Sequence, residues 1–128
     1  MIQRYIKDQL ASLYPNMEWT VDYETSNGDY GVVYYDGGDQ PDRSDRQSRY
    51  LNYQVVIKLS DFREAERIAF GIFEAINGQK DIQLEHFDRP IFVQYIYAET
   101  EPMRIGVYDD RMIYTINFNA LVYPDCRI

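Results

Sequence analysis

A chain of 128 residues holds one domain more readily than two, and it is long enough to bury a core without metal or disulfide staples. Apolar residues at 45% and charged residues at 27% exclude a wholly disordered chain, and no apolar run approaches the ~20 residues of a membrane span. With 13 basic against 21 acidic residues the net charge is −8, which argues against a stable hold on duplex DNA, a polyanion that basic surfaces grip.

Residues 2–14 read as a helix, because Ile2, Tyr5, Ile6, Leu10 and Leu13 recur at 3.6-residue spacing while Gln3, Arg4, Lys7 and Asp8 fall elsewhere. Charges in its first turns set this stretch apart from a secretory signal. Pro15 stops the helix. Residues 17–24 alternate, with Met17, Trp19, Val21 and Tyr23 on one side and Glu18, Thr20, Asp22 and Glu24 on the other. That is the pattern of a half-buried strand. Asn27-Gly28 is a preferred hairpin turn, so residues 30–35 read as the returning strand, its start weakened by Gly31.

Residues 36–49, DGGDQPDRSDRQSR, contain no apolar residue apart from Pro41 and read as a long flexible loop. Strand alternation resumes at 50–59, where Leu51, Tyr53, Val55, Ile57 and Leu59 share a face. Asp61, with Glu64 three residues on, has the capping-box pattern of a helix start. Phe62, Ala65, Ala69, Ile72, Phe73 and Ile76 then make the buried stripe, and Asn77-Gly78 ends the helix. Strands follow at 82–86, 91–98, 104–108 and 112–122, the last two flanking the hairpin signature Asp109-Asp110-Arg111.

The order α–β–β–loop–β–α–β–β–β–β predicts an α+β domain over residues 1–128. Two helices cover one face of a mostly antiparallel sheet. The other face, with its Asn, Gln, Thr and Tyr, is either solvated or packed on another subunit.

Residues able to do chemistry do not converge. His86 is the sole histidine and Cys126 the sole cysteine, and neither has a partner in the pattern that would activate it. Asp36, Asp39, Asp42 and Asp45 recur every third residue, which is the wrong spacing for a calcium loop, and Arg43, Arg46 and Arg49 interleave with them. Gly37-Gly38 lacks the context of a phosphate loop. Asp109-Asp110 sits at a hairpin tip, where turn chemistry explains it. No enzyme activity, cofactor or metal is expected. The thirteen tyrosines are the outlying feature. Tyr34 and Tyr50, in the strands on either side of the long loop, serve either a tyrosine-rich core and rim or a subunit contact. The loop itself is either a plain connector or a segment that pairs its mixed charges with a partner.

The helix ending at Leu13-Tyr14-Pro15, the strand Asn52-Tyr53-Gln54-Val55-Val56-Ile57 and the helix opening Asp61-Phe62-Arg63-Glu64-Ala65-Glu66 and closing at Asn77-Gly78 are followed by the strand Tyr114-Thr115-Ile116-Asn117-Phe118-Asn119. In these features the chain resembles a family of small proteins of tailed bacteriophages and prophages, known as minor capsid, tail-terminator or head–tail joining proteins. The resemblance implies a non-catalytic virion protein, assembled in the host cytoplasm into a ring, often hexameric, on the head-proximal end of the tail tube. Its partners would be further copies of itself, the tail tube protein and the head connector or stopper protein, with no membrane involved. DNA would pass through without stable binding, which suits an acidic ring. The candidate interface residues are then Asp36, Asp39, Asp42, Arg43, Asp45, Arg46 and Arg49, with Tyr34 and Tyr50. The other reading is a small monomeric adaptor that binds through the loop or a sheet edge.

Overall fold

The computed structural model describes residues 2–23, 28–38, 48–86 and 89–124. In chain order the elements are α1 (Ile2–Leu13), β1 (Glu18–Val21), β2 (Tyr30–Gly38), β3 (Arg49–Leu59), α2 (Phe62–Ile76), β4 (Lys80–His86), β5 (Arg89–Ala98), β6 (Met103–Tyr108) and β7 (Arg111–Pro124). This is the expected α+β order. The strands form a mixed sheet in the order β1-β2-β3-β7-β5-β4, with β6 paired to β7 alone. Strand β7 organises the sheet. One of its edges runs along β3, and the other pairs first with β6 and then with β5.

Helix α2 packs on β7, β3 and β5, while α1 packs on β1 and β2 and also reaches β4 at the far end of the strand order. A sheet whose two ends meet one helix must be curled. Side-chain bonds hold that closure. Gln3 Nε2 donates to the Val33 carbonyl at 2.8 Å, and Tyr5 Oη donates to Gln79 Oε1 at 2.9 Å. Gln79 in turn exchanges bonds with Gln9 and donates to the Ala75 carbonyl. The core between helices and sheet is built from Ile6, Leu10, Tyr53, Ile57, Ala69, Ile72, Ile116 and Phe118 with their neighbours.

Two ends of α2 follow the sequence logic. Asp61 Oδ1 accepts from the N–H groups of Arg63 and Glu64, satisfying donors that have no partner within the helix. Glu64 does not complete a capping box. It forms a two-pronged pair with Arg67 instead. At the other end Gly78 adopts φ +90°, and Asn77 Oδ1 accepts from the Ala98 N–H. The β6–β7 turn is also as expected. Asp109 and Asp110 are its two loop residues, at φ +55° and +59°, the geometry of a type I′ hairpin.

The structure corrects several expectations. β1 and β2 are parallel, with Glu18 opposite Tyr30 and Val21 opposite Val33, so they are not a hairpin. β1 ends at Val21, because Asp22 turns to φ +61° and its Oδ1 accepts the Tyr35 N–H. Tyr23 consequently leaves the strand and is exposed. Leu13 is exposed at the helix end, whereas Gln3 is buried to reach Val33. In α2 the buried stripe includes Ile68, Phe73 is half-buried, and Phe62 is 45% exposed. The stretch 36–49 is not all loop. β2 continues through Gly38 and Arg49 opens β3, so Asp36 and Arg49 are strand residues. Asp39, Asp42, Arg43, Asp45 and Arg46 lie outside the described residues.

Candidate interaction surface

Alternation divides the strand side chains between two faces. On β3, Leu51, Tyr53, Val55 and Ile57 enter the core, so Tyr50, Asn52, Gln54 and Val56 project from the outer face. The strand registers carry that outer face across the sheet in rows. Tyr34, Gln54 and Asn117 form one row, and Asn52, Asn119 and Tyr97 the next. Tyr50, Leu121 and Tyr95 form a third. A flanking row brings Val32, Val56, Thr115 and Met103 together.

These rows contain no charged side chain, although charged residues are 27% of the chain. Charge flanks them, with Asp36 in the β2 bulge beside the Asn52 row, Lys58 and Arg111 at one end and Lys80 and Glu85 at the other. Lys58 is itself covered. Its Nζ lies 3.8 Å from Asp109 Oδ2 and 4.5 Å from the Tyr108 ring centre. Within the face the polar groups are joined. Gln54 Nε2 donates to Asn117 Oδ1 at 3.0 Å, and the hydroxyls of Tyr50 and Tyr95 meet at 3.2 Å. The Tyr95 and Tyr97 rings lie 5.3 Å apart. The bond to Tyr50 chiefly, with some desolvation, pushes the Tyr95 phenol up to about 12. An uncharged surface of tyrosine and amide groups has the composition of a protein interface core, where charge is depleted and tyrosine enriched.

Of the residues expected at an interface, Tyr34 and Tyr50 both project on this face, two rows apart. Asp36 is exposed in the β2 bulge between the Tyr35–Tyr53 and Gly38–Leu51 pairs, beside the Asn52 row. Arg49 is half-buried opposite Val122, whose side chain enters the core. The sequence reading put the Asn and Gln residues on this open face but did not name Asn52, Gln54, Asn117 and Asn119 among the candidate interface residues. Their signal is visible in the sequence as polar positions alternating with apolar ones that never carry a charge.

A cleft of about 270 Å³ lies between the C-terminal end of α1 and the start of α2. Its carboxylates are engaged: Asp61 caps α2, Glu64 pairs with Arg67, and Asp29 accepts from Ser60. Among the described residues no group of metal-ligating side chains converges. His86 falls in β4 with its side chain outside the described part, as is Cys126 altogether.

No protein-family model matches the chain, and no curated protein sequence does. The fold has solved counterparts. One is a chain from the virion of a native gene transfer agent particle, at TM-score 0.61 and 17% identity. The likeness covers 89% of this chain and 84% of that one. A second solved chain, which bears no functional name, matches at TM-score 0.59 and 14% identity over 97% of this chain and 93% of its own. At such identities the likeness is one of fold.

Proposed function

We propose that this chain is a non-catalytic structural subunit of a phage-type virion, forming a ring that caps the tail tube and joins it to the head. The observation that carries this reading is the nearly end-to-end fold likeness to a chain of a gene transfer agent virion. The uncharged outer face supports it, because a chain of net charge −8 can self-associate only through surfaces that keep like charges apart. The ring would be hexameric on the family resemblance, with the tail tube protein on one side and the head connector or stopper on the other. Its acidity lets DNA slide through without sticking.

The test is direct visualisation. Purified protein, alone and with purified tail tubes of the same particle, is examined by native mass spectrometry and negative-stain electron microscopy. Closed rings, free or seated on one end of each tube, are expected. A chain that stays monomeric at every concentration and leaves tube ends bare would sink this reading and favour the monomeric adaptor.

A further inference from the structure

Strand β6 is an overhang. It extends the sheet along β7 beyond the end of β5, and helix α2 lies over β7, β3 and β5. Its apolar side chains are left in water: Met103 is 44% exposed, Ile105 59%, Val107 53% and Tyr108 64%. They divide between the two sides of the sheet: Met103 pairs with Thr115 and Tyr108 with Arg111 on the outer side, and Val107 pairs with Met112 on the helix side. We propose that β6 seats on the uncharged outer face of a neighbouring copy of this chain, giving a head-to-tail contact. This deepens the ring reading above and rests on it.

Three observations select a second copy as the occupant. The first is direction. Val107 is paired with Met112, which faces the core, so Val107 projects on the helix side of the sheet. The tyrosine and amide rows project from the opposite side. Two different patches on opposite faces of one subunit form a heterologous contact, the kind that closes into rings. The second is charge. Arg104 is the sole charged residue of β6, and the receiving rows carry none. These are surfaces on which two copies at −8 can meet without opposing their acidic groups. The third is the strand edge. Ile105 is an extra residue between Arg104 and Gly106 in the β7 register, and Gly106 sits at φ +140°. Such a bulge interrupts the regular ladder that would recruit an extended peptide of any sequence. The contact is therefore made by side chains, with specificity set by the tyrosine and amide rows.

Two variants separate the halves of this contact. Val107→Glu charges the overhang at an exposed position, and Asn119→Asp charges the middle of the outer face with almost no change of shape. Sedimentation and native mass spectrometry follow each protein alone and both mixed. Wild type should assemble, and each variant alone should be monomeric. The equimolar mixture should give a heterodimer and nothing larger, since only one intact overhang and one intact face remain. As a check that does not depend on charge, Val107→Cys and Asn119→Cys copies, each with Cys126→Ser, should cross-link to one another on mild oxidation and not to themselves. Wild-type assembly that persists unchanged in both charged variants, or absence of the mixed cross-link, overturns this contact while leaving the ring reading standing. A wild type that is monomeric at ~1 mM and yields no mixed cross-link overturns both.

Discussion

Replacing Tyr53 by phenylalanine removes a hydroxyl that the fold buries without a hydrogen-bond partner among the described residues. The side chain is 2% exposed on the core face of β3, with its ring centre 5.5 Å from that of Tyr35. Stripping water from a hydroxyl without replacing its bonds costs about 1–3 kcal/mol, whereas phenylalanine preserves the ring packing. Tyr53→Phe should therefore leave stability unchanged or raise it by about 1 kcal/mol, equivalent to ~3–5 °C in Tm for a domain of this size. Burial also drives the Tyr53 phenol well above its usual value of 10.0. The native chain thus holds the phenol neutral. Its contribution is fully present below about pH 10 and is lost as pH rises beyond that, when only the unfolded chain ionises readily. The wild type should lose stability more steeply than the variant between pH 10 and 12. Urea unfolding at pH 7 and pH 11, read by the emission of the single tryptophan, Trp19, measures both effects. A loss above about 1 kcal/mol at pH 7 would refute the reasoning, because it would mean that the hydroxyl makes a bond worth keeping.

Other outcomes follow from packing and charge. Ile72→Ala, at a fully buried site, should cost about 2–5 kcal/mol, while Phe62→Ala at the exposed start of the same helix should cost under about 1 kcal/mol. Similar losses for the two in parallel denaturant titrations would place the buried stripe wrongly. A Cβ at Gly31 would fall inside the Trp19 ring, so Gly31→Ala should destabilise by about 1–3 kcal/mol and shift Trp19 emission. An unshifted spectrum with full stability would contradict that contact. Filter binding in ~150 mM salt should show no retention of duplex DNA, and sub-micromolar binding would overturn the charge argument.

Much of the architecture was legible because it is written locally. The alternation of Leu51 to Leu59 gave a central strand, Asp61 and Asn77-Gly78 gave the ends of α2, and Asp109-Asp110-Arg111 gave the hairpin, whose loop is the two residues Asp109 and Asp110 because Arg111 opens β7. Each of these depends on neighbours within a few residues. The parallel pairing of β1 with β2 does not. Asn27-Gly28 is a strong hairpin signal, and it was outweighed by tertiary pairing that only the assembled sheet defines. Phe62 misled for a related reason. It continues the apolar period of α2, yet the first turn of the helix extends past what it packs against. The interaction face was half legible. Its tyrosines stand out in composition, but which of them face outward depended on bulges at Gln94 and near Gly37 that shift the register of β5 and β2. The overhang of β6 was not legible at all, because it arises from two strands sharing one edge of β7.

The central claim, that the chain is a ring subunit at the virion neck, is tested most directly by locating it in purified tailed particles from cells that make it. Antibody raised against the chain and carried on gold should label one site per particle, at the junction of head and tail, in electron micrographs. Label distributed over the head surface or along the tail, or particles that assemble complete tails without containing the chain, would contradict the account.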